Sequence, residues 1–311
     1  MRVFLTGATG YIGGSLAVRL VDEGHSVAGL VRSPAATDAL RRLGIHPVGG
    51  SLDDTALLTH EARQADAVVN AADSDHGAAA RALVAALVGS GKPLLHTSGS
   101  SIVADDTRGE LSDKVFTEDD VDPASPWRPA PAKAARVTID RLVMAAARED
   151  VRSVVLCNSL IYGYGRGLAR DSVQIPLLVA HAKATGVVRR IGRGHNVWST
   201  AHIDDVVDLY LRALADAEPG SFYFVENGES SFADMTTAIA EVLGLGPAQP
   251  WGIDDAIAAW GHEPAVFALG SNSRVRGVRA RQELDWRPRH SSTTDWIRRE
   301  LTADRDSVRF P

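Results

Sequence analysis

Short apolar runs alternate along the first half of the chain with longer stretches in which apolar residues recur every three or four positions. The runs Val3–Leu5, Ser26–Val31, Ala67–Asn70, Leu94–Thr97 and Val154–Cys157 predict strands. The stretches near Tyr11–Glu23, Thr37–Leu43, Thr55–Gln64, Gly77–Ser90 and Ala132–Glu149 predict helices. Such alternation brings successive strands into a parallel sheet covered by helices on both faces. Residues Ala104–Pro131, rich in Asp, Pro and Ser, interrupt it and are too long for a plain connector, which suggests an active-site flap. Beyond Tyr162 the pattern weakens into Gly-rich turns, then gives a helix around Asp204–Ala217 and a strand at Ser221–Val225. The helices Gly77–Ser90 and Ala132–Glu149 are rich in Ala and Val, which suggests burial on more than one side. A homodimer interface and ordinary core packing both fit that composition.

Directly behind Val3–Leu5 stands Thr6-Gly-Ala-Thr-Gly-Tyr-Ile-Gly-Gly14, which spaces Gly7, Gly10 and Gly13 three residues apart. This is the spacing of a strand-to-helix turn that cradles a dinucleotide pyrophosphate. Gly7 permits the tight turn, Gly10 admits the phosphates and Gly13 lets the helix pack on its strand. The pyrophosphate then meets the positive N-terminus of the helix starting near Tyr11. The end of the second predicted strand selects the cofactor. An acidic residue there would bind the ribose hydroxyls of NAD, whereas this chain has Arg32-Ser33. Arginine offers a bidentate contact to a 2′-phosphate and Ser33 a further hydrogen bond, so NADP(H) is expected ahead of NAD(H). Gly50-Ser51-Leu52-Asp53 sits where an adenine contact is expected, and Asn70-Ala71-Ala72 offers small residues for close approach.

Composition narrows the class. The 311 residues are 45% apolar and 23% charged, enough for a large domain and a smaller lobe. A net charge of -6 argues against a nucleic-acid or anionic-membrane binder. The single cysteine, Cys157, forms no intrachain disulfide and fits a reducing cytoplasm as a buried apolar residue. No leader is expected, because the first strand begins at once, and no apolar stretch reaches the ~18 residues of a membrane span. No His or Cys spacing resembles a metal site.

In this order the motifs resemble the extended short-chain dehydrogenase/reductase superfamily, the branch with the NAD(P)-dependent epimerase/dehydratases. The resemblance rests on Thr6–Gly13, His96-Thr-Ser-Gly-Ser-Ser101, Leu160-Ile-Tyr-Gly-Tyr-Gly165, Trp198-Ser-Thr-Ala-His-Ile-Asp-Asp-Val206 and Leu284-Asp-Trp-Arg-Pro288. It implies an α/β fold, a Rossmann-type doubly wound parallel sheet with a smaller C-terminal substrate lobe. Residues 1–162 and 197–226 would form the NADP-binding domain, with 163–196 and 227–311 interleaved as the lobe. Expected cofactor contacts are Gly7, Thr9, Gly10, Tyr11, Ile12, Gly13, Arg32, Ser33, Ser51, Leu52, Asn70, Ala71, Ala72, Thr97, Arg136, Asn158 and Leu160.

The resemblance breaks at the chemistry. Members of that superfamily use a Tyr-x-x-x-Lys pair on the helix after the flap, the tyrosine moving the proton and the lysine lowering its pKa. No Tyr-x-x-x-Lys occurs in this chain, and alignment on Ala132–Asp140 puts Ala132 and Arg136 at those positions. Arginine can bind a ribose or an anion but does not release its proton. Ser98 and Ser100 are the expected holders of the substrate oxygen, with a proton from Tyr162, from a histidine such as His202 or His195, or from water. The expectation is an atypical NADP-dependent oxidoreductase or redox isomerase acting on a small carbonyl or alcohol. The alternatives are a nucleotide-sugar epimerase or dehydratase with its diphosphate on Arg189-Arg190 or Arg274–Arg281, a non-catalytic NADP-binding sensor, and a catalyst of a non-hydride reaction in the same pocket.

Overall fold

A computed structural model describes residues 1–301, so residues 302–311 of the expected lobe lie outside the described residues. Nine of the strands organise the molecule. They are β1 (Arg2–Thr6), β2 (Ser26–Val31), β3 (His46–Gly49), β4 (Ala67–Asn70), β5 (Pro93–Gly99), β6 (Arg152–Asn158), β7 (Leu160–Tyr162), β8 (Val197–His202) and β9 (Ser221–Val225). Seven form one parallel sheet in the order β9-β6-β5-β4-β1-β2-β3. The strands are continuous apolar runs because helices cover both sheet faces, so neither side chain parity meets water.

Helices α1 (Tyr11–Asp22), α2 (Pro34–Arg42), α3 (Thr55–Gln64), α4 (Gly77–Leu87), α5 (Ala134–Ala145), α6 (Gln174–Thr185) and α7 (Ile203–Asp216) complete the layers. Leu16 and Leu20 of α1 and Val206 and Tyr210 of α7 fill one face of the sheet. Leu58 of α3, Leu83 of α4 and Val137 and Val143 of α5 fill the other. A third core, with Leu178, Trp198, Phe232 and Ile239, lies beneath the smaller assembly. The chain runs outward from β1 through β2 to β3, then returns to place β4 on the far side of β1. That reversal opens a crevice at the carboxyl ends of the strands. Among the described residues, no helix is long and apolar enough to cross a membrane.

Three features depart from the pattern-based reading. Strand β3 reads His-Pro-Val-Gly and escaped it because only Val48 points firmly inward and Pro47 is tolerated only at a sheet edge. The predicted helix over 132–149 is broken by tighter turns at Pro131–Lys133 and Ala146–Glu149. Strands β7 and β8 pair with each other and β8 with Glu229–Ser231, outside the seven-stranded sheet. Tyr162 and the segment Val197–His202 thus belong to a small separate sheet, although the sequence grouped them with the large domain.

The predicted flap is tied down. Phe116–Thr117 pairs in parallel with Val275–Arg276, and the Gly109 amide donates to the Gly270 carbonyl at 2.8 Å. The short helix Glu118–Val121 starts with a capping box between Thr117 and Asp120.

Candidate active site

A cleft of about 870 Å³ follows the carboxyl edge of the sheet, from the glycine turn to the smaller assembly. At its floor Gly7 adopts φ 76°, and a Cβ there would come within 2.4 Å of the Ala71 carbonyl oxygen. The turn therefore needs glycine both for its left-handed backbone and for the contact between the ends of β1 and β4. A Cβ on Gly13 would meet the Gly7 carbonyl oxygen at 2.3 Å, so this glycine serves helix packing and does not line the cleft. Gly10 caps α1 without a side-chain hydrogen bond, and the first turn holds no acidic residue. The amides of that turn are left for an anionic ligand. Thr9, Gly10, Tyr11 and Ile12 line the cleft there. The Tyr11 hydroxyl donates to the Gly163 carbonyl at 2.8 Å, and burial, with Asp204 and Asp171 nearby, pushes its pKa up.

Toward β2 the wall is Leu30, Arg32, Ser51, Leu52 and Asp53. Arg32 is exposed, and among the described residues no carboxylate pairs with it. Ser33 is exposed at the start of α2 and does not line the cleft. Ala71 and Ala72 do, whereas Asn70 stands behind them, accepting from the Thr6 hydroxyl at 2.7 Å and donating to His96 Nδ1 at 3.0 Å.

The centre of the cleft is built by the end of β5 and the first turns of α5. Thr97, Ser98, Gly99, Ser100, Ser101, Arg136 and Asn158 meet here. The two serines expected to hold a substrate have their protons committed elsewhere. Ser98, 3% exposed, donates to Asp140 Oδ2 at 2.8 Å. Ser273 spends its one proton on the Ser100 carbonyl at 2.8 Å, so at 2.7 Å the fully buried Ser100 hydroxyl must donate to Ser273. Ser101 differs. It is half-buried in the cleft wall and accepts from Arg136 Nη1 at 2.9 Å, which leaves its own proton free.

Arg136 is locked by Asp75, with Nε to Oδ1 at 2.9 Å and Nη2 to Oδ2 at 2.5 Å. The hydrogen bond from Arg136 holds the Asp75 carboxyl below its ordinary range. Burial works against the guanidinium charge, yet Asp75 prevails and raises the Arg136 pKa. Asn158 donates to the Ser98 and Leu156 carbonyls, while its Oδ1 has no partner.

Behind Ser98 lies a buried pair. His96 Nδ1 accepts from Asn70, so its proton is on Nε2, 3.6 Å from Asp140 Oδ1. Burial pushes Asp140 up to about 7 and His96 down to about 4. Both groups are thereby favoured in their neutral forms.

The expected proton donor Tyr162 does not line the cleft. It is 1% exposed in the third core, edge-on to His202 at 5.2 Å and tilted to Trp296 at 5.9 Å, and its hydroxyl has no partner. Pairing of β7 with β8 turns it into that core, so it is a packing residue. Leu160 is buried in the same core, away from the cleft. His202 caps α7 by accepting from the Asp204 amide at 3.2 Å, and its ring stacks on His290 at 4.0 Å. His195 is exposed on its glycine turn, outside the cleft wall.

The far end of the cleft is walled by Ser172, Val173, Gln174, Trp198, Glu263 and Phe267. Glu263 and Phe267 project from a π-helix, Glu263–Leu269. Lys133, 3% exposed, is ion-paired with Glu263 and lies 4.4 Å from the centroid of Phe267. None of this end was anticipated, since a seven-residue π-helix carries no α or β period. The arginines considered for a diphosphate lie outside the cleft wall. Arg274 and Arg276 pair with Glu229, Arg279 with Asp119 and Arg281 with Glu226. Arg190 donates to the Arg193 and Ala248 carbonyls, and Arg189 to Gln249.

A glycine turn feeding an uncapped helix, at the reversal point of a parallel sheet, defines a Rossmann-type chain of the extended short-chain dehydrogenase/reductase kind. The model of the NAD dependent epimerase/dehydratase family matches residues 3–224, and the chain belongs to that family. It is 33% identical over 323 aligned residues to the oxidase ucsJ of Acremonium sp, covering 92% of each chain. It is 27% identical over 260 residues to a 4-hydroxy-2-methyl-3-oxo-4-farnesyl-3,4-dihydroquinoline-1-oxide ketoreductase of Stigmatella aurantiaca, across 79% of this chain and 74% of that one. A structure of UDP-glucose 4-epimerase from Thermotoga maritima with UDP-glucose shares the fold at a TM-score of 0.75 and 16% identity, covering 98% of both. Family and relatives mark an enzyme of the oxidoreductase or epimerase type.

Proposed function

We propose that this chain is an NADP-dependent oxidoreductase acting on a small carbonyl or alcohol. The observation that carries the cofactor reading is Arg32, a cation on the cleft wall with no carboxylate partner among the described residues. A 2′-phosphate would supply the missing partner through a charge-assisted bidentate contact. The residues present fit a dinucleotide: the uncapped start of α1 for the pyrophosphate, Leu30 and Leu52 for a flat base, and the orphaned Asn158 Oδ1 near the centre. A reduced nicotinamide, when bound, supplies a hydride to a carbonyl carbon.

Within the chain, the group suited to the substrate oxygen is Ser101. Its free O–H donates to that oxygen, while Arg136 strengthens the donation and stabilises negative charge as it develops. Asp75 keeps the guanidinium in place. Neither Ser101 nor Arg136 releases a proton at neutral pH, so the proton that completes the alcohol comes from water in the open cleft. The redox names of the oxidase and ketoreductase relatives support this reading. A nucleotide-sugar substrate is disfavoured because the arginines considered for its diphosphate are paired elsewhere.

The test is a titration of the purified protein with NADPH and NADH, followed by NADPH consumption with a panel of aldehydes, ketones and imines. Preference for NADPH and turnover of at least one carbonyl are expected. Tight NADPH binding with no turnover across the panel would favour a non-catalytic NADP-binding role.

A further inference from the structure

The two ends of the cleft differ in free charge. At the end near β2, Arg32 stands without a carboxylate partner among the described residues. At the other end each nearby cation is already answered, Arg136 by Asp75 and Lys133 by Glu263. Lys133 is 3% exposed, so its ammonium is closed to a ligand. The side chain of Glu263 is 62% exposed and only its Oε1 is engaged. Its second oxygen is therefore an acceptor open to the cleft, on a carboxylate that Lys133 anchors through the other oxygen.

The remaining wall carries no charge, with Phe267, Ala268, Val173 and Trp198 beside the uncharged polar Ser172 and Gln174. The Lys133 ammonium, 4.4 Å from the Phe267 centroid, also braces that ring through a cation–π contact. One buried lysine thus holds both the acceptor and the aromatic face, at one edge of a π-helix. π-Helical backbone is rare in proteins, and where it occurs it is frequently at functional sites.

We propose, resting on the oxidoreductase reading, that this end selects an uncharged, ring-bearing carbonyl compound with a hydroxyl or N–H group facing Glu263, and rejects anionic substrates. The ring stacks against Phe267, and the donor satisfies the open carboxylate oxygen. A carboxylate or diphosphate in the same place meets the Glu263 carboxylate with no unpaired cation on that stretch of the cleft wall among the described residues, and like charges at close range repel.

Calorimetry on the full chain, saturated with 1,4,5,6-tetrahydro-NADP, which neither gives nor accepts a hydride, separates these cases with para-(hydroxymethyl)benzaldehyde, para-tolualdehyde, para-carboxybenzaldehyde and UDP-glucose as probes. The hydroxymethyl compound is expected to bind roughly tenfold tighter than the tolualdehyde, the difference of one hydrogen bond to a charged acceptor. The carboxylate and UDP-glucose are expected to bind at least about tenfold more weakly than the tolualdehyde. The double variant Lys133→Met/Glu263→Leu leaves no buried orphan charge and should erase the preference for the hydroxymethyl probe. Glu263→Gln keeps an acceptor but uncovers the lysine charge, so it should retain that preference and admit the carboxylate probe.

Binding of the carboxylate or of UDP-glucose as tightly as the neutral probes would overturn the proposal. So would a hydroxymethyl preference that survives in the double variant. These readouts do not depend on turnover. Absence of hydride transfer would defeat the oxidoreductase reading alone, and efficient reduction of anionic carbonyls would defeat the selectivity alone.

Discussion

Arg136 donates to the Ser101 hydroxyl across 2.9 Å, and this contact joins the first turn of α5 to the 3₁₀ turn that follows β5. Because the serine accepts from arginine, its own proton is bound to no other protein group; the Thr97 hydroxyl, which accepts from Tyr210, shares that freedom at the centre of the cleft but has no cation behind it. Ser98 and Ser100 have theirs tied to Asp140 and Ser273.

Ser101→Ala should therefore lower kcat/KM for carbonyl reduction by about 100-fold, the usual loss on removing one preorganised donor. The cofactor dissociation constant should change little. Steady-state kinetics beside a fluorescence titration of NADPH checks this. Equal losses in Ser98→Ala would place the substrate oxygen elsewhere.

Ser98→Ala is instead a stability variant. It strips Asp140 Oδ2 of its donor in a fully enclosed place, at a cost of about 1–3 kcal/mol. Urea denaturation at neutral pH measures it, and an unchanged midpoint would contradict the buried network.

The His96–Asp140 pair predicts opposite pH slopes in its two single variants. Asp140 rises from 3.8 to about 7 on folding, so its contribution to stability is present at low pH and is lost as pH climbs through that window. His96 falls from 6.5 to about 4, so the unfolded chain holds the extra proton and stability increases with pH between those values. The two effects oppose each other in the native protein. Asp140→Asn should leave the rising slope and His96→Gln the falling one, each spanning on the order of 2 kcal/mol. Denaturant melts between about pH 4.5 and about pH 6.5, inside the span that the two windows share, read both. The same slope in both variants would show that the pair does not exchange its proton preference on folding.

Tyr162→Phe removes a hydroxyl that has no partner in the core. Turnover and its pH profile should be unchanged, and stability should be equal or slightly higher, since an unsatisfied buried donor is lost. A tenfold fall in turnover would return Tyr162 to the chemistry.

How much of this could be read in advance follows from how local each signal is. The glycine turn is legible because Gly7, Gly10 and Gly13 act within one strand-to-helix junction, and most sheet strands announce themselves as apolar runs. Strand β3 does not, since a sheet edge with Pro47 needs only one buried side chain. Choosing among the serines required the 3₁₀ turn Ser100–Val103, which ends the strand alternation and swings Ser101 toward Arg136. The far wall is the least local part. Lys133 and Glu263 are 130 residues apart, and only the tertiary fold makes them partners.

The central claim is hydride transfer between NADPH and a carbonyl compound, and a deuterium label tests it most directly. NADPH deuterated at nicotinamide C4 is incubated with the enzyme and para-(hydroxymethyl)benzaldehyde, and the product is examined by NMR. Deuterium on the new carbinol carbon, lost in step with NADPH absorbance and slowed about 100-fold in Ser101→Ala, is the predicted result. Bound NADPH that keeps its deuterium through prolonged incubation with the carbonyl panel would contradict it.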